Sequence, residues 1–323
     1  MPGSRATLDL PDLAAIRDAA ARIAPHVHAT PVMTCAAIDA EVGASLFFKC
    51  EHLQRVGAFK ARGACNAVFS LGADAAKRGV VTHSSGNHGA ALAYAAKRRG
   101  IPAWVIMPDN APAVKQANVR RFGATVRLCA PTVDAREAAC DEVARQTGAT
   151  LIHPFDDARV IAGQATAALE LVEAIDALDV VIAPCGGGGL LSGTSIAATS
   201  LDRDITVLGA EPANADDAAR SFVAGSLQPL AATTTIADGL RTTLSTRTLS
   251  AIRAHVRGFG TCTEGGIVRA MRMLFERMKQ VVEPSGAVPL ACLLERSLDV
   301  AGNRVGIIVS GGNVDLDRLP WNA

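Results

Sequence analysis

A strand, a glycine loop and the start of a helix are predicted for residues 180–193, which read VVIAPCGGGGLLSG. The apolar run at the start of this stretch is typical of a buried strand. Residues without side chains let backbone N–H groups approach an anion, and the first turn of the helix adds a favourable dipole. A tight turn that is glycine-rich for steric reasons alone is the structural alternative. We expect the loop to bind a phosphate group through Gly186, Gly187, Gly188 and Gly189.

Dinucleotide binding is the nearest functional alternative for this loop. Glu211 ends the next predicted strand, close to where a Rossmann fold places an acid beside a ribose. No frame of the loop matches GxGxxG, however, because Leu191 or Ser192 occupies the third glycine position. The loop also lacks the Lys-Ser/Thr pair of a P-loop. A site for a single phosphate fits the sequence better.

Outward from this loop, strands and helices alternate at the spacing of βαβ units. The predicted strands lie at 46–50, 80–83, 103–107, 125–128, 180–183, 205–210 and 305–309. The predicted helices lie at 10–24, 62–71, 90–98, 114–122, 133–147 and 161–178. This order predicts an α/β fold of parallel sheets flanked by helices. We expect two lobes, with a cleft where the C-terminal ends of their strands meet.

Composition and charge limit the possible partners. The 323-residue chain is 49% hydrophobic and has a net charge of +1, which gives no reason to expect nucleic acid or a membrane surface. We find no apolar run of transmembrane length and no signal-peptide h-region. The cysteines form no CxxC pair and are typical of reduced core thiols, so we expect a cytoplasmic protein with a small-molecule partner. These cysteines are Cys35, Cys50, Cys65, Cys129, Cys140, Cys185, Cys262 and Cys292.

Lys60 is the strongest candidate for a reactive residue. It lies in a nearly uncharged stretch of small and apolar residues, between Phe59 and Ala61. Burial disfavours the ammonium form and makes a lysine amine nucleophilic. A neutral amine can form a Schiff base with an aldehyde, and pyridoxal phosphate is the commonest aldehyde cofactor. A lysine whose stem packs while its ammonium group reaches water is the alternative.

Two further strand ends carry polar residues. Ser84-Ser85-Gly86-Asn87-His88 lies on a strand-to-helix turn, where amides can hold a carboxylate, Asn87 can bond a phenolic oxygen and Ser85 can transfer a proton. Helix capping by serine and asparagine is the alternative. Ser310 follows the last predicted strand and could face a pyridine nitrogen, or it is simply a turn serine.

Three carboxylates surround the turn after Glu211, in the run Glu211-Pro212-Ala213-Asn214-Ala215-Asp216-Asp217. Hard oxygen ligands at this density suit Mg²⁺ or Ca²⁺. A solvated acidic helix start explains the same residues equally well.

Together these motifs resemble the fold type II pyridoxal-phosphate enzymes, whose fold is similar to the tryptophan synthase β chain. The resemblance is closest to the group of serine racemases, serine/threonine dehydratases and 3-hydroxyaspartate dehydratases. It extends nearly from end to end, from Thr30-Pro31 through Ile152-His153-Pro154 to Ser310-Gly311-Gly312-Asn313.

The resemblance implies roles for individual residues. Lys60 and Ser85 would be catalytic, on opposite faces of the substrate. Ser84, Ser85 and His88 would bind the substrate carboxylate. Glu211, the carbonyl of Ala215 and Asp217 would bind Mg²⁺, Ca²⁺ or Mn²⁺. The residues that would bind pyridoxal phosphate are Phe59, Lys60, Asn87, Gly186, Gly187, Gly188, Gly189, Gly239, Glu283 and Ser310.

The resemblance also implies an organisation for the chain. Residues 1–69 and 157–323 would form a large cofactor-binding domain, and 79–156 a small substrate-binding domain, joined by 70–78. The family suggests a homodimer.

The expected activity is α,β-elimination from a 3-hydroxy L-amino acid, giving a 2-oxo acid and ammonia. A racemase on the same scaffold is the main alternative, because Ser85 matches the hydroxyl that serves the second face in serine racemase. A catalytically silent ligand-binding protein is a third reading, which the joint presence of Lys60, Ser85, the glycine loop and Ser310 opposes.

The substrate is left open by the sequence. Arg136 could meet a second carboxylate and would then favour 3-hydroxyaspartate, although an exposed helix arginine is an equal alternative. Phe155 could instead line an apolar pocket for a bulky group such as phenyl, and serine or threonine are also candidates. The stretch 304–322 looks closest to the 3-hydroxyaspartate dehydratases.

Overall fold

Two sheets organise the chain, as the alternation of strands and helices predicts. The computed structural model describes residues 9–84, 86–111, 113–230 and 234–321. One sheet has six strands and the other has four, and helices flank both. The α/β prediction is therefore confirmed. Within those ranges, no helix combines the length and apolarity needed to cross a bilayer.

The strands are short, as expected for parallel sheets buried on both faces. In chain order they are β1 (Val32–Met33), β2 (Ser45–Lys49), β3 (Val80–His83), β4 (Ala103–Pro108), β5 (Thr125–Cys129), β6 (Thr150–Leu151), β7 (Val180–Pro184), β8 (Thr206–Pro212), β9 (Gly258–Cys262) and β10 (Arg304–Ile308).

The helices fill the connections between strands. They are α1 (Leu13–Ile23), α2 (Ala36–Val42), α3 (Lys60–Phe69), α4 (Ala73–Arg78), α5 (Asn87–Arg99), α6 (Ala113–Arg120), α7 (Val133–Thr147), α8 (Ala158–Ala174), α9 (Gly189–Leu201), α10 (Asp217–Ala224), α11 (Thr246–His255), α12 (Glu264–Met278) and α13 (Pro284–Leu294).

The larger sheet has the order β1-β2-β10-β7-β8-β9, and all its pairs are parallel except β1 with β2. The smaller sheet has the order β5-β4-β3-β6 and is parallel throughout. Parallel strands end at one edge of their sheet. The loops after β3, β6, β7 and β10 therefore all reach the region between the two sheets.

Helix α3 is held tightly against α8 beneath this region. A Cβ atom added to Gly163 of α8 would lie 2.6 Å from the Cα of Gly63 in α3, so the helices approach at the backbone. Beside this contact, the buried guanidinium of Arg62 donates to Glu51 at 2.7 Å and to Glu170 at 2.7 Å. Both contacts fix the helix on which Lys60 is the first residue.

Most predicted elements are confirmed, with differences at their ends. The strands β1, β6 and β9 are not anticipated, because β1 and β6 have only two residues each and β9 contains two glycines. The helix predicted at 161–178 spans Ala158–Ala174 instead. It begins earlier because the Asp157 side chain caps it by accepting from the backbone N–H of Arg159 at 2.8 Å.

Candidate active site

A cavity of about 930 Å³ lies between the two sheets, at the C-terminal ends of their strands. The expected cofactor and substrate residues that the structure describes all line it. They are Phe59, Lys60, Ser84, Asn87, His88, Arg136, Gly186, Gly187, Gly188, Gly189, Gly239, Glu283 and Ser310. Ser85 lies outside the described residues. The sequence thus predicts the content of the cavity wall, and the fold brings it together.

Lys60 enters the cavity from the N-terminus of α3. Its amine donates to the carbonyl of Pro154 at 2.9 Å and lies 5.0 Å from the centre of the Phe59 ring. No carboxylate among the described residues pairs with it. Burial without a counter-ion lowers the pKa of the Lys60 ammonium to about 8. A substantial fraction of the amine is therefore neutral near physiological pH, as a nucleophile or a base requires.

The side chain of Phe155 packs against the glycine loop. A Cβ atom at Gly187 would lie 2.3 Å from the Phe155 ring, and one at Gly189 would lie 2.9 Å from the Cβ of Phe155. Gly188 has a φ of +83°, which a side chain would strain. Helix α9 begins at Gly189, so the amides of its first turn have no partners within the helix. Backbone donors and an absence of side chains are what a phosphate-binding loop needs.

Asn87 is anchored by an acid that reaches across from the larger sheet. Its amide donates to the two Glu283 oxygens at 2.9 and 3.1 Å and accepts from the amide of Asn313 at 2.9 Å. The backbone N–H of Asn313 also donates to Glu283, at 3.1 Å. Burial raises the pKa of Glu283 to about 7, against the lowering effect of the Asn87 hydrogen bond. This network fixes the side chain of Asn87 toward the cavity.

Ser310 and Gly239 also line the cavity. The carbonyl of Ser310 accepts from the backbone N–H of Phe59 at 3.0 Å, which joins the end of β10 to the segment before Lys60. The hydroxyl of Ser310 has no partner among the described residues and is open to the cavity. The backbone N–H of Gly239 donates to the Ser285 hydroxyl at 3.1 Å.

The residues expected to bind substrate lie on the side of the cavity that the smaller sheet forms. The hydroxyl of Ser84 accepts from the backbone N–H of Gly86 at 3.2 Å, at the turn that begins α5. His88 is buried, and its Nε2 lies 3.4 Å from the carbonyl of Ile152. Arg136 donates from Nε to its own helix, at the carbonyl of Thr132, 3.2 Å away. It forms no ion pair with the carboxylates that the structure describes, so its charge is available to a ligand.

Two histidines of this wall are missed by the sequence reading. His83 ends β3 and His153 follows β6, and their rings meet edge to face with centroids 5.5 Å apart. Burial lowers the pKa of both imidazoles, and that of His83 falls to about 4 because His153 and Arg136 add repulsion. A positional signal is available only for His83, which ends the predicted strand β3, because β6, the strand before His153, is not anticipated from the sequence.

The predicted metal residues lie outside the cavity. Glu211 ends β8 fully buried, and its carboxylate accepts from the backbone N–H groups of Ala218 and Ala219 at 3.3 and 2.7 Å. Both oxygens of buried Asp217 lack partners among the described residues. Burial raises the pKa of Asp217 to about 6 and that of Glu211 well above its usual range. Uncompensated buried carboxylates of this kind fit a cation.

Side chains alone do not complete such a metal site. Within the described ranges, no group of three or more His, Cys, Asp or Glu side chains is arranged to bind a metal. A cation beside Glu211 and Asp217 would therefore also need backbone carbonyls. Ala215 is buried in the turn between these two acids.

Comparison with known proteins identifies the class to which this fold and cavity belong. A family model described as "Pyridoxal-phosphate dependent enzyme" matches residues 23–311. The chain therefore belongs to the pyridoxal-phosphate dependent enzymes, and the predicted cofactor class is confirmed. The reactive lysine, the glycine loop and the polar residues around them fit that cofactor.

Individual relatives narrow the comparison. The chain is 49% identical over 301 residues to the beta-hydroxyaspartate dehydratase of Paracoccus denitrificans (strain Pd 1222), covering 93% of this chain and 96% of that protein. It is 48% identical over 317 residues to the serine racemase of Oryza sativa subsp. indica, covering 97% and 93%. The structure of maize serine racemase matches with a TM-score of 0.94 at 48% identity, covering 97% of each chain.

Proposed function

We propose that this protein is a dehydratase that converts a 3-hydroxy L-amino acid to a 2-oxo acid and ammonia. The observation that carries the proposal is the Lys60 amine, which has no carboxylate partner among the described residues and faces the same cavity as the glycine loop and the polar side chains. Its similarity to a beta-hydroxyaspartate dehydratase supports the reaction type.

Each part of the cavity wall has a role in this proposal. The amides of Gly186–Gly189 would hold the cofactor phosphate, Asn87 would bond the ring oxygen, and Ser310 would meet the pyridine nitrogen. Phe59 and Gly239 pack beside the ring. When bound, pyridoxal phosphate supplies an electron sink for the charge that develops at Cα.

The chain's own residues move the protons. Lys60 would hold the cofactor through its amine, and the same amine, once free, removes the proton from Cα of the substrate. Loss of the Cα–H and Cβ–OH bonds releases water, and hydrolysis of the resulting enamine consumes water, so the net products are a 2-oxo acid and ammonia. Ser84 and His88, at the start of α5, orient the α-carboxylate.

The substrate that we favour carries a second carboxylate. Arg136 lines the cavity without an ion-pair partner among the described carboxylates, and its guanidinium suits a carboxylate. We therefore propose 3-hydroxyaspartate over serine, threonine or 3-phenylserine. Replacing Arg136 by methionine should raise the KM for 3-hydroxyaspartate about 10- to 100-fold, the loss of a charged hydrogen bond, and leave that for serine nearly unchanged.

The test is 2-oxo acid release from a panel of substrates by the pyridoxal-phosphate-loaded enzyme with Mg²⁺. The panel contains L- and D-serine, L-threonine, the 3-hydroxyaspartate stereoisomers and 3-phenylserine. A preference for a 3-hydroxyaspartate isomer is the expected result. Release from none of them would overturn the proposal, and a preparation without visible cofactor absorption would point to a silent binding protein.

Racemisation is the second candidate, because the chain is 48% identical to a serine racemase and 49% identical to a beta-hydroxyaspartate dehydratase. It needs a second base on the face opposite Lys60, and Ser85 would supply it. Replacing Ser85 by alanine should abolish inversion and leave elimination largely intact if the enzyme is primarily a dehydratase.

A structural Mg²⁺ (or Ca²⁺ or Mn²⁺) is proposed at Glu211, Asp217 and the carbonyl of Ala215. The partnerless, buried oxygens of Asp217 support it. Mg²⁺ should raise the melting temperature of the wild-type protein relative to EDTA, and Asp217→Asn should remove that difference. An equal melting temperature with Mg²⁺ and with EDTA would count against the site.

The remaining expectations concern organisation and location. We propose that 79–156 form the small domain and that 1–69 and 157–323 form the large one. The smaller sheet, from β3 to β6, lies wholly within 79–156. We further propose a cytoplasmic homodimer. The eight cysteines are all free thiols, as a reducing compartment favours, and sedimentation of the holoenzyme would test the dimer.

A further inference from the structure

We propose that His153 is a catalytic residue that donates a fixed hydrogen bond from Nε2 to the β-hydroxyl leaving group of the substrate. This inference rests on the proposed dehydratase function and adds a residue to it. It comes from the turn that follows β6, which carries His153, Pro154 and Phe155.

The position of His153 relative to the reactive amine is the first argument. Pro154 accepts the hydrogen bond of Lys60 at 2.9 Å, so the imidazole is attached one residue from the atom that holds the amine. The His153 ring lines the cavity and meets the Phe155 ring edge to face, with centroids 4.6 Å apart. The His153 ring is thus held near the Lys60 amine and against the Phe155 ring, which in turn packs on the glycine loop.

The tautomer of His153 is the second argument. Its Nδ1 accepts from the backbone N–H of Asp156 at 2.9 Å and from that of Phe155 at 3.4 Å. Because Nδ1 must carry a lone pair, the proton of the neutral ring lies on Nε2. Nε2 has no hydrogen-bond partner among the described residues and is not enclosed by protein atoms. It is a donor oriented by the turn and open to the cavity.

The ring is a neutral donor and does not act as a proton source. Adding a second proton would break both contacts at Nδ1. Burial lowers the pKa of His153, the charges of Lys60 and Arg247 act in the same direction, and Asp156 and Asp157 oppose them without reversing the shift. The guanidinium of Arg247 also holds Asp156, at 2.6 Å. Burial lowers the pKa of His83, whose ring meets this one edge to face, to about 4, and it also lowers the pKa of the buried His88, on which His153 acts.

Elimination balances without a proton from His153. Lys60 takes one proton from Cα, and the departing hydroxide needs one proton to leave as water, which the Lys60 ammonium can return. The imidazole keeps its Nε2 proton throughout and stabilises the negative charge that develops on the oxygen as the C–O bond breaks. A preoriented donor of this kind costs no reorganisation at the moment of reaction.

The β-hydroxyl is the acceptor that the proposed substrate offers to this donor. His153, His83 and Arg136 line the same cavity as Lys60; the two imidazole rings meet edge to face, and the charge of Arg136 acts on His83. A 3-hydroxyaspartate with its Cα at the Lys60 amine and its distal carboxylate at Arg136 would carry its Cβ oxygen between these two groups, on the part of the wall that includes His153.

Two conservative variants separate the hydrogen-bond donor of His153, Nε2, from its acceptor, Nδ1, which the backbone N–H groups of the turn hold. His153→Asn keeps an acceptor oxygen at the position of Nδ1 and removes the donor, whereas His153→Gln keeps an N–H donor at the distance of Nε2. Both are assayed as holoenzymes with 3-hydroxyaspartate and with 3-chloroaspartate, whose chloride leaves without needing a donor. Visible cofactor absorption reports that each variant is loaded.

The expected result is a change in the ratio of the two kcat values. His153→Asn should slow elimination of hydroxide about 100-fold, the effect of losing one preoriented donor, and change elimination of chloride by less than about 3-fold. His153→Gln should recover most of the hydroxide rate. His255→Gln, which alters a half-buried histidine bonded to Thr199, is the matched control and should leave both rates unchanged.

The proposal and the function on which it rests fail in different ways. Equal losses for the two leaving groups, or no loss, in His153→Asn would overturn the role of His153 alone. A wild-type enzyme that releases no 2-oxo acid from any hydroxy amino acid would overturn the proposed function first. If His153→Asn does not load the cofactor, His153→Phe, which keeps the ring contact with Phe155, replaces it in the same ratio measurement.

Discussion

Lys60 and Arg62 are basic residues two positions apart in α3, and their pKa values are shifted in opposite directions. Within the described part of the chain, the Lys60 amine meets a carbonyl and an aromatic ring but no carboxylate, and burial lowers its pKa to about 8. Burial would also lower the pKa of Arg62, but the carboxylates of Glu51 and Glu170 outweigh it and raise that pKa. Burial alone makes a cation reactive, whereas burial with counter-ions makes it a structural anchor.

The same contrast exists between two buried acids. Glu51 is paired with Arg62 at 2.7 Å, whereas Glu283 is met only by N–H donors and its pKa rises to about 7. In each pair the member that faces the cavity lacks a counter-ion. The predictions below test whether this division between anchor and reactive group holds.

Replacing Lys60 by alanine should have the largest effect. It removes both the covalent attachment of the cofactor and the base at Cα, so kcat should fall at least about 10⁴-fold, the upper range for a positioned base. Stopped assays of 2-oxo acid formation would measure it. Appreciable turnover in this variant would assign the chemistry to another group.

Replacing Arg62 by methionine should instead act on stability. It leaves the carboxylate of Glu51, which is 0% exposed, without its cation, whereas Glu170 keeps its ion pair with Lys49. Breaking a buried pair on one side costs about 3–5 kcal/mol in the free energy of unfolding. Urea denaturation of the cofactor-free protein would measure the loss. Arg17→Met, which removes an exposed pair with Glu173, is the control and should cost less than about 1 kcal/mol.

Glu283 should make stability fall with rising pH. The folded pKa of about 7 exceeds the ordinary value of 4.5, so the folded state binds more protons between these pH values. Its contribution is therefore fully present below pH 4.5 and is lost as pH rises through 7. Between pH 5 and pH 8 the cofactor-free wild type should lose about 2 kcal/mol more than Glu283→Gln. Parallel pH profiles for the two proteins would contradict this.

Lys60 should give a smaller effect of opposite sign. Its folded pKa of about 8 is below the ordinary 10.5, so the unfolded state binds more protons in that window and stability rises with pH. The cofactor-free wild type should gain about 1 kcal/mol between pH 8 and pH 10.5 relative to Lys60→Met, a value reduced because the side chain is partly exposed. A gain that survives in Lys60→Met would show that other groups cause it.

The sequence predicts the parts of the site that lie in short segments at strand ends better than it predicts the contacts between distant residues. The glycine loop, the Ser84–His88 turn and Ser310 each follow an apolar strand, and the edge of a parallel sheet brings such strand ends to one place. The sequence could not reveal that Asn87 is held by Glu283, which lies 196 positions away. Nor could it reveal that the turn after β6 fixes the tautomer of His153, because that requires the geometry of two backbone N–H groups, those of Phe155 and Asp156.

By itself, the sequence determined the alternation of strands and helices, the α/β class and the family, and it singled out the lysine that we propose as the attachment point of the cofactor. These follow from local periodicity and from short motifs. Each motif is a contiguous stretch of the chain, so it can be recognised without knowing which distant residues it contacts. Only the tertiary structure decided which buried charges are paired and which are not. Pairing depends on distances between residues far apart in the chain, and the dielectric environment of each charge exists only after the lobes have packed.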